Sequence, residues 1–248
     1  MVRSLSDTEY SIFSQWGEDG ILDFLCESLG VKRPTVVDFG AGDVRYSNFR
    51  WLLQSRGGSG VFVDARPDLA ESLDSSGLRL YTDSHTIKTF LNYENSKETF
   101  QTACGLLEGR ELDFFSLDID GQDYWVLESL EDIRPKVILL EYQAYLGSEL
   151  AVTVPRSLTF DRASAHFSLI YYGASLLAFK TLLSARGYQL VGSNRQRSNA
   201  FFVRKDLIAG TKIAQMEIPS LISLTDGLGG PEMLKAGSKE FRGRAEFN

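Results

Sequence analysis

Short apolar blocks and amphipathic stretches alternate along this chain. Residues 35–40 (TVVDFG), 60–65 (GVFVDA), 112–121 (LDFFSLDIDG) and 135–143 (PKVILLEYQ) are compact, β-favouring runs of strand length, bounded by glycine, proline or acidic residues. Between them, apolar residues recur at helical spacing. Ile21, Leu22, Leu25 and Leu29 do so in 11–30, and further helices are predicted over 47–57, 67–77, 96–109 and 123–131. Pro67 near the start of one helix and Gly77 at its end match the asymmetry of helix termini. Residues 78–81 (LRLY) read as a short third strand. A last amphipathic helix spans 173–187, capped by Gly187, and two strands, 188–192 and 199–204, close the chain as an antiparallel pair.

This order predicts an α/β fold with a Rossmann-like, doubly wound sheet of seven strands, mostly parallel, ending in a C-terminal antiparallel hairpin. Residues 143–172 break the alternation and read as an insertion or lid within a domain of residues 1–205. Residues 206–248 read as a C-terminal extension, a mobile segment or oligomer arm, with weak periodicity and a glycine patch at Gly227, Gly229 and Gly230. Such sheets bind ligands beyond the carboxyl ends of their strands, and Asp38, Asp64, Asp118, Asp120 and Glu141 all fall at such ends.

The chemistry concentrates there. After the first strand the chain reads Asp38-Phe-Gly40-Ala-Gly42-Asp43-Val-Arg45. Two glycines allow a sharp turn against a ligand. A dinucleotide turn would carry a third glycine where Arg45 stands, and a pyrophosphate is repelled by Asp38 and Asp43. A sulfonium compound with an amino group suits those acids better, which turns the choice from NAD to S-adenosylmethionine; the alternative is a tight turn without a ligand. Asp64 is placed to accept both hydroxyls of a ribose, or is a solvated strand-end acid.

Asp118, Asp120 and Asp123, with Glu141 on the neighbouring strand, form the most unusual cluster. Side chains two apart on a strand share a face, so Asp118 and Asp120 are expected on one side. Crowded carboxylates need a cation, a proton or a positive ligand. Three readings stay open: Asp118, Asp120 and Glu141 hold a divalent metal ion, Asp118 or Asp120 is a general base for an acceptor hydroxyl, or the acids cap the next helix and steady the cofactor. His166, near Tyr171 and Tyr172, is a further catalytic candidate, and His85 is expected after the third strand near an adenine. Tyr142, Tyr145, Tyr171, Tyr172 and Trp125 either wall an acceptor pocket or pack in the core. Ser198 and Asn199 sit where the hairpin reaches back toward the site.

The D-x-G-x-G turn, the acid after the second strand and the acid-rich end of the fourth together resemble class I S-adenosylmethionine-dependent methyltransferases. More narrowly, SQWGEDGIL, LDIDGQDYWVLESL, VILLEY, YYGASLLAFKTLL and NAFFVR resemble FkbM-type methyltransferases and related uncharacterised bacterial proteins, over residues 11–205. The resemblance implies strand order 3-2-1-4-5-7-6 and methyl transfer, often to a sugar or natural-product hydroxyl. It implies that Asp38, Gly40 and Gly42 line the methionine part of the cofactor, that Asp64 holds the ribose, and that Gln15, Glu18 and Asp19 lie on an N-terminal helix over it. Arg45 stands where many relatives carry a smaller residue. The expected function is O-methylation of a small or sugar-like acceptor, with Asp118 touching the cofactor, Asp118 and Asp120 at the transfer centre, Glu141 beside them, and metal assistance at the cluster. An NAD-dependent oxidoreductase and a non-catalytic cofactor-binding scaffold are the alternatives.

Composition changes this picture little. With 248 residues, 43% hydrophobic and 24% charged, the chain is an ordinary globular protein of one larger domain. Its net charge of −7 leaves no basic face for nucleic acid, the cluster Arg195, Arg197, Arg204 and Lys205 being short. No apolar run reaches the length of a membrane span, and the N-terminus lacks the apolar centre of a signal peptide. Cys26 and Cys104 read as reduced and structural, which favours a cytoplasmic location. A small-molecule acceptor is the expected partner, and helix 173–186 and the tail are candidates for a homodimer contact.

Overall fold

The computed structural model describes residues 2–225. In chain order the regular elements are α1 (Glu18–Ser28), β1 (Thr35–Phe39), α2 (Arg50–Arg56), β2 (Ser59–Asp64), α3 (Leu69–Ser76), β3 (Asp83–Lys88), α4 (Ser96–Leu106), β4 (Phe114–Leu117), α5 (Asp123–Ser129), β5 (Val137–Glu141), α6 (Arg162–Ala165), α7 (Leu176–Ala185), β6 (Tyr188–Ser193), β7 (Asn199–Arg204) and α8 (Leu221–Thr225). The seven strands form one sheet of order β3-β2-β1-β4-β5-β7-β6, the order the resemblance implies. β1 to β5 run parallel, and β7 enters antiparallel between β5 and β6.

Alternation along the central strands feeds two cores. Val37, Phe39, Phe115, Leu117, Ile138 and Leu140 point to one face, where α4, α5 and α7 pack through Ala103, Tyr124, Leu127, Phe179 and Leu183. Val36, Phe114, Val137 and Leu139 point to the other, where α1, α2 and α3 pack through Ile21, Leu22, Leu52, Leu53, Leu69 and Leu73. Burial on both faces explains why these strands read as continuous apolar runs. Phe39 meets Phe115 edge-on at 5.2 Å, tying the tips of β1 and β4. The apolar face of α7 is used up in this core. Beyond residue 206, Ile208, Ile213 and Met216 are buried against one face and Leu224 against the other. The glycine patch at 227–230 lies outside the described residues.

Three expectations need correction. Residues 78–80 form a 3-10 turn, not a strand: Leu78 is buried but Leu80 is 79% exposed, so the apparent alternation is not a sheet face. The third strand is β3, Asp83–Lys88, an edge strand too polar to stand out. The N-terminal helix begins at Glu18, because Gly17 sits at φ +91° and residues 12–14 bend back onto Asp19. Gln15 therefore lies before the helix. β4 ends at Leu117, and Asp120 takes a left-handed φ of +58°, so Asp118 and Asp120 occupy the turn after the strand rather than one strand face.

The carboxyl ends of β1 and β4 approach through glycine. Gly40 has φ +82°, and a Cβ there would lie 1.7 Å from the carbonyl oxygen of Asp118. Its N–H donates to the carbonyl of Val63 at 2.8 Å, and the Asp118 N–H donates to the Phe39 carbonyl at 2.9 Å. Gly42 has φ +56° but open space around its missing Cβ. Gly42→Ala is therefore expected to cost only the left-handed strain, about 1–2 kcal/mol. Gly40→Ala adds a backbone collision and is expected to cost ~3 kcal/mol or more. Urea unfolding of the two variants side by side checks this, and equal midpoints would show that the close approach is not a constraint.

Candidate active site

A cavity of about 710 Å³ opens over the carboxyl ends of β1, β2, β4 and β5. Gly40, Ala41 and Gly42 form its floor on one side, and Asp118, Ile119 and Asp120 on the other. Its volume is that of a site for a ligand of cofactor size.

Asp38 is buried within β1 and accepts from the Ser47 hydroxyl at 2.7 Å. Burial pushes its carboxyl up to about 6; the hydroxyls of Ser47 and Ser116 pull it back and the nearby Asp64 adds to the rise. Asp64, at the end of β2, accepts the Gly42 N–H at 2.8 Å with one oxygen and the Arg66 N–H at 2.9 Å with the other. Each oxygen keeps a lone pair for a ligand. Asp64 thus fixes the glycine turn as well as facing the cavity. Asp43 is held by a two-pronged pair with Arg45, which accounts for arginine where a dinucleotide turn has glycine.

The N-terminal segment covers this end. Gln15, Trp16 and Glu18 line the cavity. Glu18 is fully buried: one oxygen accepts the side-chain amides of Asn194 at 2.8 Å and Asn199 at 2.9 Å, and the other accepts the Trp16 N–H. This gives Asn199 a role that its sequence position did not reveal, joining the β6–β7 hairpin to α1. Asp19 faces away from the ligand space; one of its oxygens accepts the N–H groups of Ile12, Phe13 and Ser14 and holds the segment in place.

At the far end, Asp118, Asp120 and Glu141 bring oxygens within 4.8 Å of one another. Burial pushes Asp118 up to about 7, with the charge of Asp123 adding to it, and pushes Glu141 well above the usual carboxylate range, with Asp118 as the next cause. Glu141 accepts the Tyr172 hydroxyl at 3.3 Å through Oε1, while Oε2 is buried without a donor from outside the acid cluster. Asp120 is exposed and pairs with Arg162 at 2.5 Å. Asp123 stands apart from these three. Its oxygens accept the N–H groups of Ile119 and Gly121 and secure the turn after β4.

Residues 143–172 run over this end. Gln122 clamps them, donating to the Pro155 carbonyl at 3.0 Å and accepting the Ser157 N–H at 2.8 Å. Trp125 donates to the Val154 carbonyl. Ser157 and Phe160 line the cavity, and a Cβ on Gly121 would meet the Phe160 ring at 2.2 Å.

The structure thus gathers Gln15, Glu18, Asp38, Gly40, Gly42, Asp64, Asp118, Asp120 and Glu141 around one space. It does not bring in the histidines. His85 lies inside β3, opposite Val61, bonded to Asp83. His166 follows α6 and bonds Ser168, and neither lines the cavity. Tyr142 is a core residue whose hydroxyl donates to the Leu224 carbonyl, and Tyr172 donates to the Glu141 carboxylate. Thr89, Phe90 and Leu91, just past β3, line the cavity, and the polar sequence of β3 masks their place at a strand end.

No protein-family model matches the chain, and no curated protein matches it by sequence. Solved structures do match. An N,N-8-amino-8-demethyl-D-riboflavin dimethyltransferase from Streptomyces davawensis matches at 13% identity and TM-score 0.39, over 73% of this chain and 54% of its own. The cofactor-bound Rv0187 from MTB matches at 17% and 0.45, over 81% and 86%. A SAM dependent methyltransferase from Aquifex aeolicus matches at 12% and 0.41, over 75% and 88%. The chain spans about half the length of the first such structures. At this level the similarity is one of chain path alone.

An acid raised by burial makes stability fall as pH rises from its unfolded to its folded pKa, since the folded state then holds the extra proton. For Asp38 that window runs from its ordinary value of 3.8 to about 6. Asp38→Asn is therefore expected to raise the melting temperature of the ligand-free protein most above pH 6, with the advantage shrinking as pH falls toward 4. Thermal melts at pH 8, 6 and 5 test this; an advantage that grows on acidification would contradict the buried-charge account.

Proposed function

We propose that the cavity binds S-adenosylmethionine and that the protein transfers its methyl group to a nucleophilic oxygen or nitrogen of a small acceptor. One observation carries the reading: of the charged side chains that line the cavity among the described residues, all are carboxylates except Arg66. A low-dielectric cleft of one sign concentrates the opposite charge. That favours a sulfonium with an ammonium group and works against a dinucleotide, whose pyrophosphate would meet Asp38 and Asp43. The glycine floor and the acids present fit such a ligand. When bound, it supplies an electrophilic methyl group.

The protein's own residues divide the remaining work. Asp38 faces the cationic part across the glycine floor. Asp64 offers its spare lone pairs to ribose hydroxyls while holding the turn. Gln15 and Glu18 close the cavity from the N-terminal side, and Phe90 and Leu91 give an apolar wall for a base. Residues 143–172 act as a lid over the acceptor end, keeping water out through Phe160. Asp118, Asp120 and Glu141 orient the acceptor, so positioning and water exclusion supply most of the rate.

A second reading has one observation in its favour. The three oxygens within 4.8 Å match a hard divalent ion in ligand type, although Arg162 already holds Asp120. We expect turnover to survive complete chelation by EDTA; loss of turnover restored by Mg²⁺ would establish the ion.

The main test is binding. S-adenosylhomocysteine is expected to bind in calorimetry while NAD gives no heat, and Asp64→Ala is expected to weaken it at least ~tenfold, about 1.4 kcal/mol. A protein that prefers NAD, or whose Asp64→Ala variant binds S-adenosylhomocysteine as well as the parent, overturns the assignment.

A further inference from the structure

We propose that the methyl acceptor is a small organic amine, bound as its ammonium form against Asp118, Asp120 and Glu141. This rests on the methyl-transfer reading and narrows it from any nucleophile to nitrogen.

The far end of the cavity is built for an organic cation. The three side chains bring oxygens within 4.8 Å of one another, a space that one ammonium head with three donors spans. Glu141 Oε2 is buried and has no donor from outside the acid cluster, although its partner oxygen already receives the Tyr172 hydroxyl. An uncharged hydroxyl can satisfy that oxygen but brings no counter-charge, whereas an ammonium stabilises the ionised form of these acids. Anionic acceptors bearing phosphate or carboxylate are repelled outright.

The chain itself shows which kind of cation the place accepts. Arg162, on the overlying segment, sets its guanidinium 2.5 Å from Asp120 and 3.7 Å from the centroid of the Tyr172 ring. A carboxylate beside an aromatic face recognises organic cations, through charge on one side and the ring quadrupole on the other. A hydrated divalent ion gains little from the ring. Among the described residues, Arg162 is the one cation paired with the cluster, and it reaches only the exposed member. An incoming ammonium takes Asp120 over from it and adds Glu141.

The chemistry balances without another reagent. The ammonium gives one proton to the Asp118 carboxylate. The freed nitrogen lone pair forms the new N–C bond as the S–C bond breaks, and that bonding pair stays on sulfur. The sulfonium becomes a neutral thioether, and the methylated amine leaves with the positive charge.

Calorimetry on the full chain saturated with S-adenosylhomocysteine tests the proposal, with 1,4-diaminobutane, 1,4-butanediol and MgCl₂ as probes. The diamine is expected to bind and the diol to give no heat. Glu141→Gln is expected to weaken the diamine at least ~tenfold, and Arg162→Gln, which removes the internal competitor, to tighten it severalfold. Asp120→Asn, at an exposed position, gives the same readout should Glu141→Gln fail to fold. Absence of diamine binding, equal binding of the diol, or indifference to both carboxylate variants overturns the amine assignment while leaving methyl transfer standing. Binding of Mg²⁺ in place of the diamine replaces the amine with the ion. Failure of S-adenosylhomocysteine to bind removes the methyl-transfer reading itself, a separate and prior result.

Discussion

Carboxylates gathered in a cleft with little water must be compensated, and the rest of this site follows from how that is done. The sheet brings the ends of β1, β2, β4 and β5 together, and each delivers an acid at or just beyond its tip. Gly40 sets how closely: the Asp118 carbonyl occupies the space a side chain would fill. With the tips that near, the acids share one cavity and cannot all be charged at neutral pH without help. Burial first, and mutual repulsion after it, push Asp38 and Asp118 up to between about 6 and 7, and Glu141 further than a carboxylate ordinarily goes.

Neutral donors relieve part of that strain. Ser47 serves Asp38, backbone N–H groups serve Asp64 and Asp123, and two asparagine amides serve Glu18. These contacts also hold the glycine turn, the turn after β4 and the N-terminal segment. The same carboxylates therefore set the geometry of the cleft and its charge. Removing one changes both, which is why comparisons at several pH values, rather than single activity losses, separate the two roles.

Much of this was legible in the sequence because it lies in central strands. Val36–Val37, Phe114–Leu117 and Val137–Leu140 are buried on both faces, so their apolar runs are unmistakable, and acids at their ends mark the ligand edge. What escaped lies at edges and in irregular chain. β3 is paired on one side only and carries Asp83, Ser84, His85 and Lys88, so the polar alternation hid the strand and with it Phe90 and Leu91. Asp19 looked like a cofactor ligand because it sits beside Glu18, yet its three backbone donors come from a bend that no periodicity announces. Glu18 meets Asn194 and Asn199 across more than 170 positions, a contact set by the hairpin's return beside β5.

The two ends of the cavity are compensated differently, and the difference bears on how each takes a ligand. At the glycine floor the partners are backbone groups and short hydroxyls, fixed by the sheet and its turns. That end is preorganised and takes its ligand without rearrangement. At the far end the counter-charge found among the described residues is a guanidinium on a four-residue helix, α6, in a segment of mostly irregular chain. The pair with Asp120 is solvent-exposed and contributes little, while the Tyr172 ring and the Leu169 carbonyl keep Arg162 in place when Asp120 is taken by another cation. A positive ligand at the rigid end lowers the cost of charging Asp38, and its own charge then offsets the repulsion that a charged Asp38 exerts on Asp118. The rigid end is thus open to a ligand as it stands, whereas the adaptable end takes a cation only by displacing Arg162 from Asp120.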